Sequence, residues 1–258
     1  VEKAMRNFSW FLGMAILEFS PLLLAASPYQ ESDGWHGILG LGTILYTQPY
    51  KKMGYKTLPL PYLVMRQSCF FIDGLKMGYR VAEGDSGYFD LVVTPRLTHF
   101  DPQDNFYLQG MEKRNLSVDG GINTKLRQGM IELNLAAVTD LLDKSNGQEI
   151  SFSLGNTYIL TNWMTTLTPS LGIKWQSADL VNYYYGVKPN ETRPNRPTYI
   201  GESSLNYYAT INTAALLTKR STLFAMVEYE YFGDEIAASP LLDEEKIISI
   251  FLGYGWQF

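Results

Sequence analysis

A closed antiparallel up-and-down β-barrel crossing a membrane is the all-β fold this sequence predicts, with ten strands, or twelve if one escapes the count. Three observations predict it. Stretch after stretch alternates apolar and polar residues with a period of two, the period of a strand and not of a helix. The chain closes on Lys246-Ile-Ile-Ser-Ile-Phe-Leu-Gly-Tyr-Gly-Trp-Gln-Phe258, in which Ile248, Ile250, Leu252, Tyr254, Trp256 and Phe258 share one face. Connections alternate between short and long, as turns and loops on the two sides of a bilayer do.

Composition sets the outer bounds. The chain has 258 residues, enough for one barrel, and a net charge of −5, so nothing in its charge suggests a nucleic-acid partner. Charged residues make up only 18 % and aromatics 14 %, a charge-poor and aromatic-rich balance. Cys69 is the single cysteine, which excludes an internal disulfide and a cysteine-based zinc site, and it reads as an inert small hydrophobe. Alternating strands keep average hydropathy low, so the lack of a long apolar run after the amino terminus is compatible with a barrel.

Residues 1–27 carry Lys3 and Arg6 before an apolar run that ends at Ala25 and Ala26. This pattern predicts a secretory signal peptide followed by a barrel domain over residues 28–258. Glu18 interrupts the run, and an amphipathic helix is the other reading.

Strands follow in order over 36–47, 57–66, 69–82, 88–100, 116–127, 129–138, 149–160, 163–175, 203–218, 221–232 and 246–258. Phe89, Leu91, Val93, Pro95 and Leu97 oppose Asp90, Thr94, Arg96 and Thr98. Leu116, Val118 and Ile122 oppose Ser117, Asp119, Asn123 and Lys125; Ile131, Leu133 and Leu135 oppose Glu132 and Asn134. Leu223, Ala225, Val227, Tyr229 and Tyr231 oppose Glu228 and Glu230. Between Trp163 and Trp175, one face holds Thr165, Leu167, Pro169, Leu171 and Ile173. At about 3.3 Å per residue and a tilt of about 40° this stretch rises about 30 Å, which sets the two indoles at the two membrane interfaces.

Short links fall near 127–128, 161–162 and 219–220, and long ones over 101–115, 139–148, 176–200 and 233–245. The eleven stretches do not make an even barrel. Counting back from the carboxyl terminus gives ten, which leaves 36–47 without a place. Pro59 and Pro61 weaken 57–66, because each removes a ladder donor.

The last strand resembles the terminal strand of bacterial outer-membrane barrels, and the resemblance implies that Tyr254, Trp256 and Phe258 form the signal read by the barrel-assembly machinery. Further stretches carry a closer likeness: Leu58-Pro-Leu-Pro-Tyr62, Leu142-Asp-Lys-Ser-Asn-Gly147, Leu167-Thr-Pro-Ser-Leu-Gly172, Tyr183-Tyr-Tyr-Gly-Val187, Gly233-Asp-Glu-Ile236 and Ser239-Pro-Leu241. In this order, over residues 36–258, the chain resembles the MipA/OmpV family of outer-membrane proteins. The resemblance implies a barrel in the outer membrane of a Gram-negative bacterium, in contact with its lipid and lipopolysaccharide. For the family's namesake it implies a scaffold joining a lytic transglycosylase to a peptidoglycan synthase. Other members are porin-like or adhesive, so the fold transfers better than the role. No catalytic residue and no cofactor carries over.

A search for chemistry returns little. His36 and His99 read as interfacial or loop residues and not as general bases. Asp140, Asp143 and Glu149 have the donor type for a hard cation such as Ca²⁺, but read first as a solvated loop, so no metal site is assigned. Asp243-Glu244-Glu245 reads as a wet loop base. The inward charges mean more: Asp90, Arg96, Asp119, Lys125, Glu132, Lys174, Glu228 and Glu230, with Lys76 and Arg80, project into one lumen. An ion-paired plug is the preferred reading and a small selective pore the alternative. Tyr183, Tyr184 and Tyr185 lie in the longest connection, either as an exposed protein interface or as a lid folded over the barrel mouth.

Overall fold

A computed structural model describes residues 34–103 and 105–258; the leader expected over 1–27 lies outside the described residues. Thirteen strand segments form one antiparallel sheet that closes on itself. They are β1 (His36–Thr47), β2 (Tyr55–Gln67), β3 (Phe70–Asp73), β4 (Lys76–Gly84), β5 (Gly87–Arg96), β6 (Ser117–Gln128), β7 (Ile131–Asp140), β8 (Gln148–Asn156), β9 (Tyr158–Leu160), β10 (Thr165–Gln176), β11 (Ser204–Thr218), β12 (Ser221–Tyr231) and β13 (Lys246–Gln257). β8 and β9 both pair with β10 and are two parts of one wall strand, so the wall has twelve strands. This is the larger of the two expected counts, and it is even, as closure with all-antiparallel neighbours requires.

The expected stretch 69–82 accounts for the difference. It is a hairpin, β3 and β4, folded at Gly74, whose φ of 60° suits glycine. Residues 36–47 also have a place: β1 pairs with β13 from Ile38↔Gln257 to Tyr46↔Ser249 and closes the ring. The prolines do not remove 57–66 from the wall either. β3 reaches only as far as Val64 on β2, so Pro59 and Pro61 lie where β2 has a single strand neighbour, β1. Pro169 likewise lies at the break between β8 and β9.

The two faces of the wall follow the alternation. Leu171, Leu223, Val227, Ile250, Leu252, Tyr254 and Trp256 point outward and are exposed. An exposed apolar band of this kind suits lipid and would be an aggregation hazard in water. The strand around the two tryptophans is shorter than expected. β10 starts at Thr165, because Met164 adopts a left-handed conformation that turns the chain, and Trp163 ends a 3₁₀ turn over Thr161–Trp163.

Inside, the lumen has two unlike halves. One half, from β1, β2, β12 and β13, is filled by aromatics: the Tyr62 ring lies 4.5 Å from Phe224 and 5.6 Å from Phe251. Gly42 on β1 makes room for this wedge, since a Cβ there would lie 2.5 Å from the Phe251 ring. The other half, from β5 to β11, is polar, and two cavities lie against it, reaching also to β12 and the β3–β4 hairpin.

Long connections fold over one end. Residues 97–116, 177–203 and 232–245 contribute Phe100, Leu108, Leu180, Val181, Phe232, Ile236 and Leu241 to a buried apolar cluster continuous with the lumen aromatics. Within them lie helix α1 (Ala178–Tyr185), capped by the Ser177 hydroxyl, and the short helix α2 (Asp234–Ala237). By the rule that long loops face outward and short turns the periplasm, this cap covers the extracellular mouth. Strand β5 ends at Arg96 and not at residue 100, because the chain turns into the cap, where Phe100 and Arg114 form an isolated bridge.

Candidate functional site: the capped lumen

The inner face places oppositely charged side chains from different strands within reach of one another. On the extracellular side of the lumen, Arg96 on β5 reaches Asp119 on β6 at 2.5 Å and Glu149 on β8 at 3.0 Å. Gln176 donates from Nε2 to the same Glu149 carboxylate at 2.9 Å. Glu149 is therefore a lumen residue, although the sequence suggested a loop position. Lys174 on β10 lies 2.6 Å from Glu230 on β12, and Asn206 on β11 donates to that carboxylate at 2.7 Å. Glu228 is buried on the same wall and lines the second cavity.

Toward the periplasm, Glu132 on β7 gathers three partners: Arg127 at 2.6 Å, the Thr157 hydroxyl at 2.8 Å and Lys125 at 3.6 Å. Asp90 on β5 binds Arg80 on β4 through two bonds, Nε to Oδ1 at 2.7 Å and Nη2 to Oδ2 at 3.1 Å. The Arg80 guanidinium also stacks 3.8 Å over the Tyr88 ring. Asp90, Asp119, Lys125, Glu132, Lys174, Glu228 and Glu230 are buried, and Arg96 is nearly so. Burying charge in this way is tolerated because opposite charges and hydrogen bonds replace water.

The cap has its own buried ion pair, which sequence reading missed. The Arg114 Nη2 lies 3.0 Å and 2.8 Å from the two Glu191 oxygens, with both side chains almost wholly buried. Two backbone amides, Glu112 at 2.8 Å and Lys188 at 3.0 Å, also donate to the Glu191 carboxylate. Burial alone would raise this carboxyl, but the Arg114 bond and the two amides outweigh it and hold Glu191 below its ordinary value. Arg196 is fully buried beside it and donates from Nε to the Glu191 carbonyl at 3.0 Å. A faint sequence signal existed: two arginines among Pro189, Pro194 and Pro197 imply a folded loop with something to bind.

The tyrosine run belongs to the cap. Tyr184 and Tyr185 are buried, so neither offers an exposed interface; the apolar cluster has taken up their rings. Tyr184 accepts at its carbonyl from the Tyr50 hydroxyl at 3.4 Å, and Tyr185 from the Ser239 hydroxyl at 2.6 Å. Tyr183 is half-buried and accepts from the Asn115 amide at 2.9 Å. At the other end, Tyr254, Trp256 and Phe258 are exposed on the outer face near the short turns.

The acidic loop has a structural use. The Asp140 carboxylate accepts from the amides of Leu142 at 2.9 Å, Lys144 at 2.7 Å, Ser145 at 2.6 Å and Asn146 at 3.2 Å. It thereby ties loop 141–147, while Glu149 turns inward to Arg96. Among the described residues no three His, Cys, Asp or Glu side chains come together as a metal site.

A family model described as MltA-interacting protein MipA matches residues 39–258. The chain is 22 % identical over 223 residues to the putative outer membrane protein YiaT of Escherichia coli strain K12, covering 85 % of this chain and 90 % of YiaT. It is 24 % identical over 250 residues to the MltA-interacting protein of the same strain, covering 95 % and 99 %. It is 26 % identical over 172 residues to the outer membrane protein OmpV of Vibrio cholerae, covering 67 % and 66 %. Among solved structures, the translocator domain of autotransporter NalP from Neisseria meningitidis overlays with a TM-score of 0.47 and 11 % identity, covering 88 % of this chain and 89 % of that one.

Proposed function

The chain belongs to the family of the MltA-interacting protein MipA and is an outer-membrane β-barrel, and on that premise we propose that it is a non-enzymatic scaffold for enzymes that synthesise and hydrolyse peptidoglycan. One observation carries the reading. The inward charges pair with one another across the lumen and the loops fold into an apolar cap over its mouth. Such an interior props the wall, which leaves the periplasmic rim as the working surface. One relative is named for its interaction with MltA, and the partners proposed here are a lytic transglycosylase and a peptidoglycan synthase. Contact with lipopolysaccharide at the loop side, and reading of Tyr254, Trp256 and Phe258 by the barrel-assembly machinery, belong to the same proposal.

The test is a pull-down of detergent-extracted protein with homologues of both enzymes, using an unrelated barrel of similar size as control. Enrichment of both supports the scaffold. Recovery no greater than with the control sinks it.

A second reading, a small-solute channel, rests on the second cavity. Asn123, Ser153, Thr168, Thr210 and Asn212 line it, and both amide atoms of fully buried Asn123 lack a hydrogen-bond partner among the described residues. Planar-bilayer conductance that changes with Asn123→Leu would favour the channel over the scaffold.

A further inference from the structure

We infer that the barrel wall carries a built lateral opening between β2 and β5, and that it admits an uncharged single-chain amphiphile from the surrounding lipid. The opening follows from strand lengths. The β3–β4 hairpin fills the wall between β2 and β5 only near the periplasmic side. Its tip is pinned where the Gly74 amide donates to the Leu63 carbonyl at 2.7 Å. Above that bond β2 has no ladder partner on this side, and β5 has none beyond Val93. A notch open to the hydrocarbon remains.

Backbone polar groups facing lipid are costly, so an open edge needs an explanation. Three prolines give one. Backbone groups of alternate residues point to the same side of a strand. The Leu63 carbonyl points to the β3 side, so the nitrogens of Pro61 and Pro59 point there too, into the notch. On the facing strand, the Ser86 carbonyl accepts from the Arg127 amide of β6 at 2.7 Å, and the β5–β6 register runs unbroken to Arg96. Even-numbered positions of β5 therefore face β6, and Pro95 faces the notch. At all three positions proline deletes a donor that would otherwise lie unpaired against lipid. The same deletion prevents the two edges from zipping together.

Behind the notch lies the first lumen cavity, about 60 Å³, which reaches from Leu75, Pro95 and Leu97 at the wall to Arg96, Asp119 and Gln176 inside. Arg96, Asp119, Glu149, Lys174 and Glu230, which line it, pair with one another, so these five charges call for no ionic head. Toward the lumen, Arg96 Nε, a donor, and Asp119 Oδ1 and Gln176 Oε1, both acceptors, are buried without a hydrogen-bond partner among the described residues. A small head that both donates and accepts, a hydroxyl or an amide, matches that set, and the notch gives its chain a route to the lipid. A cavity of this size holds only a few water-sized groups, which limits the head to glycerol scale.

The experiment uses the full protein in lipid nanodiscs and a monoacylglycerol with a diazirine in its acyl chain. Photolabelling is expected at Leu75 and Leu97, saturable by unlabelled monoacylglycerol, with about tenfold weaker competition from a fatty acid or a lysophosphatidylcholine. Gln176→Ala, which removes one head contact, should lower apparent affinity by about fivefold to tenfold. The triple variant Pro59→Val, Pro61→Val, Pro95→Val restores the donors and should abolish saturable labelling; if it fails to migrate as a folded barrel, Gln176→Ala alone decides. Labelling at Leu75 and Leu97 that does not saturate, or that matches the lipid-facing Leu171 in wild type and Gln176→Ala alike, means bulk lipid only and overturns the opening. Equal competition by the charged amphiphiles overturns the assigned head.

Discussion

Lys174 and Glu230 meet inside the barrel at 2.6 Å although a whole strand, β11, stands between theirs. Their side chains cross the inner face of that strand, where Asn206 adds a third partner at 2.7 Å. A contact of this kind braces three neighbouring strands at once. Removing one partner leaves the other charged and buried. Lys174→Ala is expected to destabilise the barrel by about 3–5 kcal/mol, while replacing both residues with apolar ones of similar size recovers most of the loss. Urea unfolding of the refolded protein in bilayers measures both.

The two faces of β12 give opposite expectations. Val227 points to lipid, so Val227→Lys should cost about 2–4 kcal/mol near the midplane. Glu228→Ala combined with Glu230→Ala acts on the interior and should weaken the barrel without blocking export. A harmless Val227→Lys beside a damaging glutamate pair would mean that the strand is inside out.

Acid should loosen the cap. Glu191 has a folded-state pKa below its ordinary value. Its contribution is thus complete above the ordinary carboxylate range and disappears as pH falls through the lower folded value. The amides of Glu112 and Lys188, which donate to this carboxylate, should keep their hydrogen-exchange protection at neutral pH and lose it below about pH 4. Glu191→Gln should weaken the cap at neutral pH and flatten that pH dependence. Protection that persists unchanged to pH 2 in the wild type would refute the account.

Gly42 tests the aromatic wedge. Its Cβ would meet the Phe251 ring at 2.5 Å, so Gly42→Ala should cost about 1–3 kcal/mol by overpacking. Phe251→Leu in the same chain should return part of that. If Gly42→Ala is neutral on its own, the wedge is looser than its geometry implies.

The wall was legible in the sequence wherever one residue in two decides a face. Asp119, Lys125 and Glu132 could be assigned inward from their own strands, without knowledge of any neighbour. The long-range pairings could not, because Arg96 and Glu149, or Lys174 and Glu230, are far apart along the chain and meet only once the register is set. The twelfth strand was hidden inside an apparently continuous stretch, yet Asp73-Gly74 between Ile72 and Met77 is a hairpin signal that could have divided it. Tyr184 and Tyr185 illustrate a harder limit: an amphipathic ring reads the same whether it will be buried under a lid or offered to a partner. The pairing of buried Arg114 with Glu191 was hidden for the opposite reason, since charged loop residues read as solvated until a partner removes them from water.

The seam between β1 and β13 joins the two ends of the described chain, Ile38 opposite Gln257. No earlier part of the molecule can complete the ring, so the first strand must wait, with one edge bare, for the last to arrive. Contacts between such distant positions form slowly, and a full-length bare edge that keeps its donors is costly in hydrocarbon. Maturation is therefore committed late and in a single event. A lesion in the final strand should not yield a slightly weaker barrel. It should yield a long-lived precursor, open along one side and exposed to proteases, whose abundance depends on how fast the seam closes and not on how stable the finished wall is.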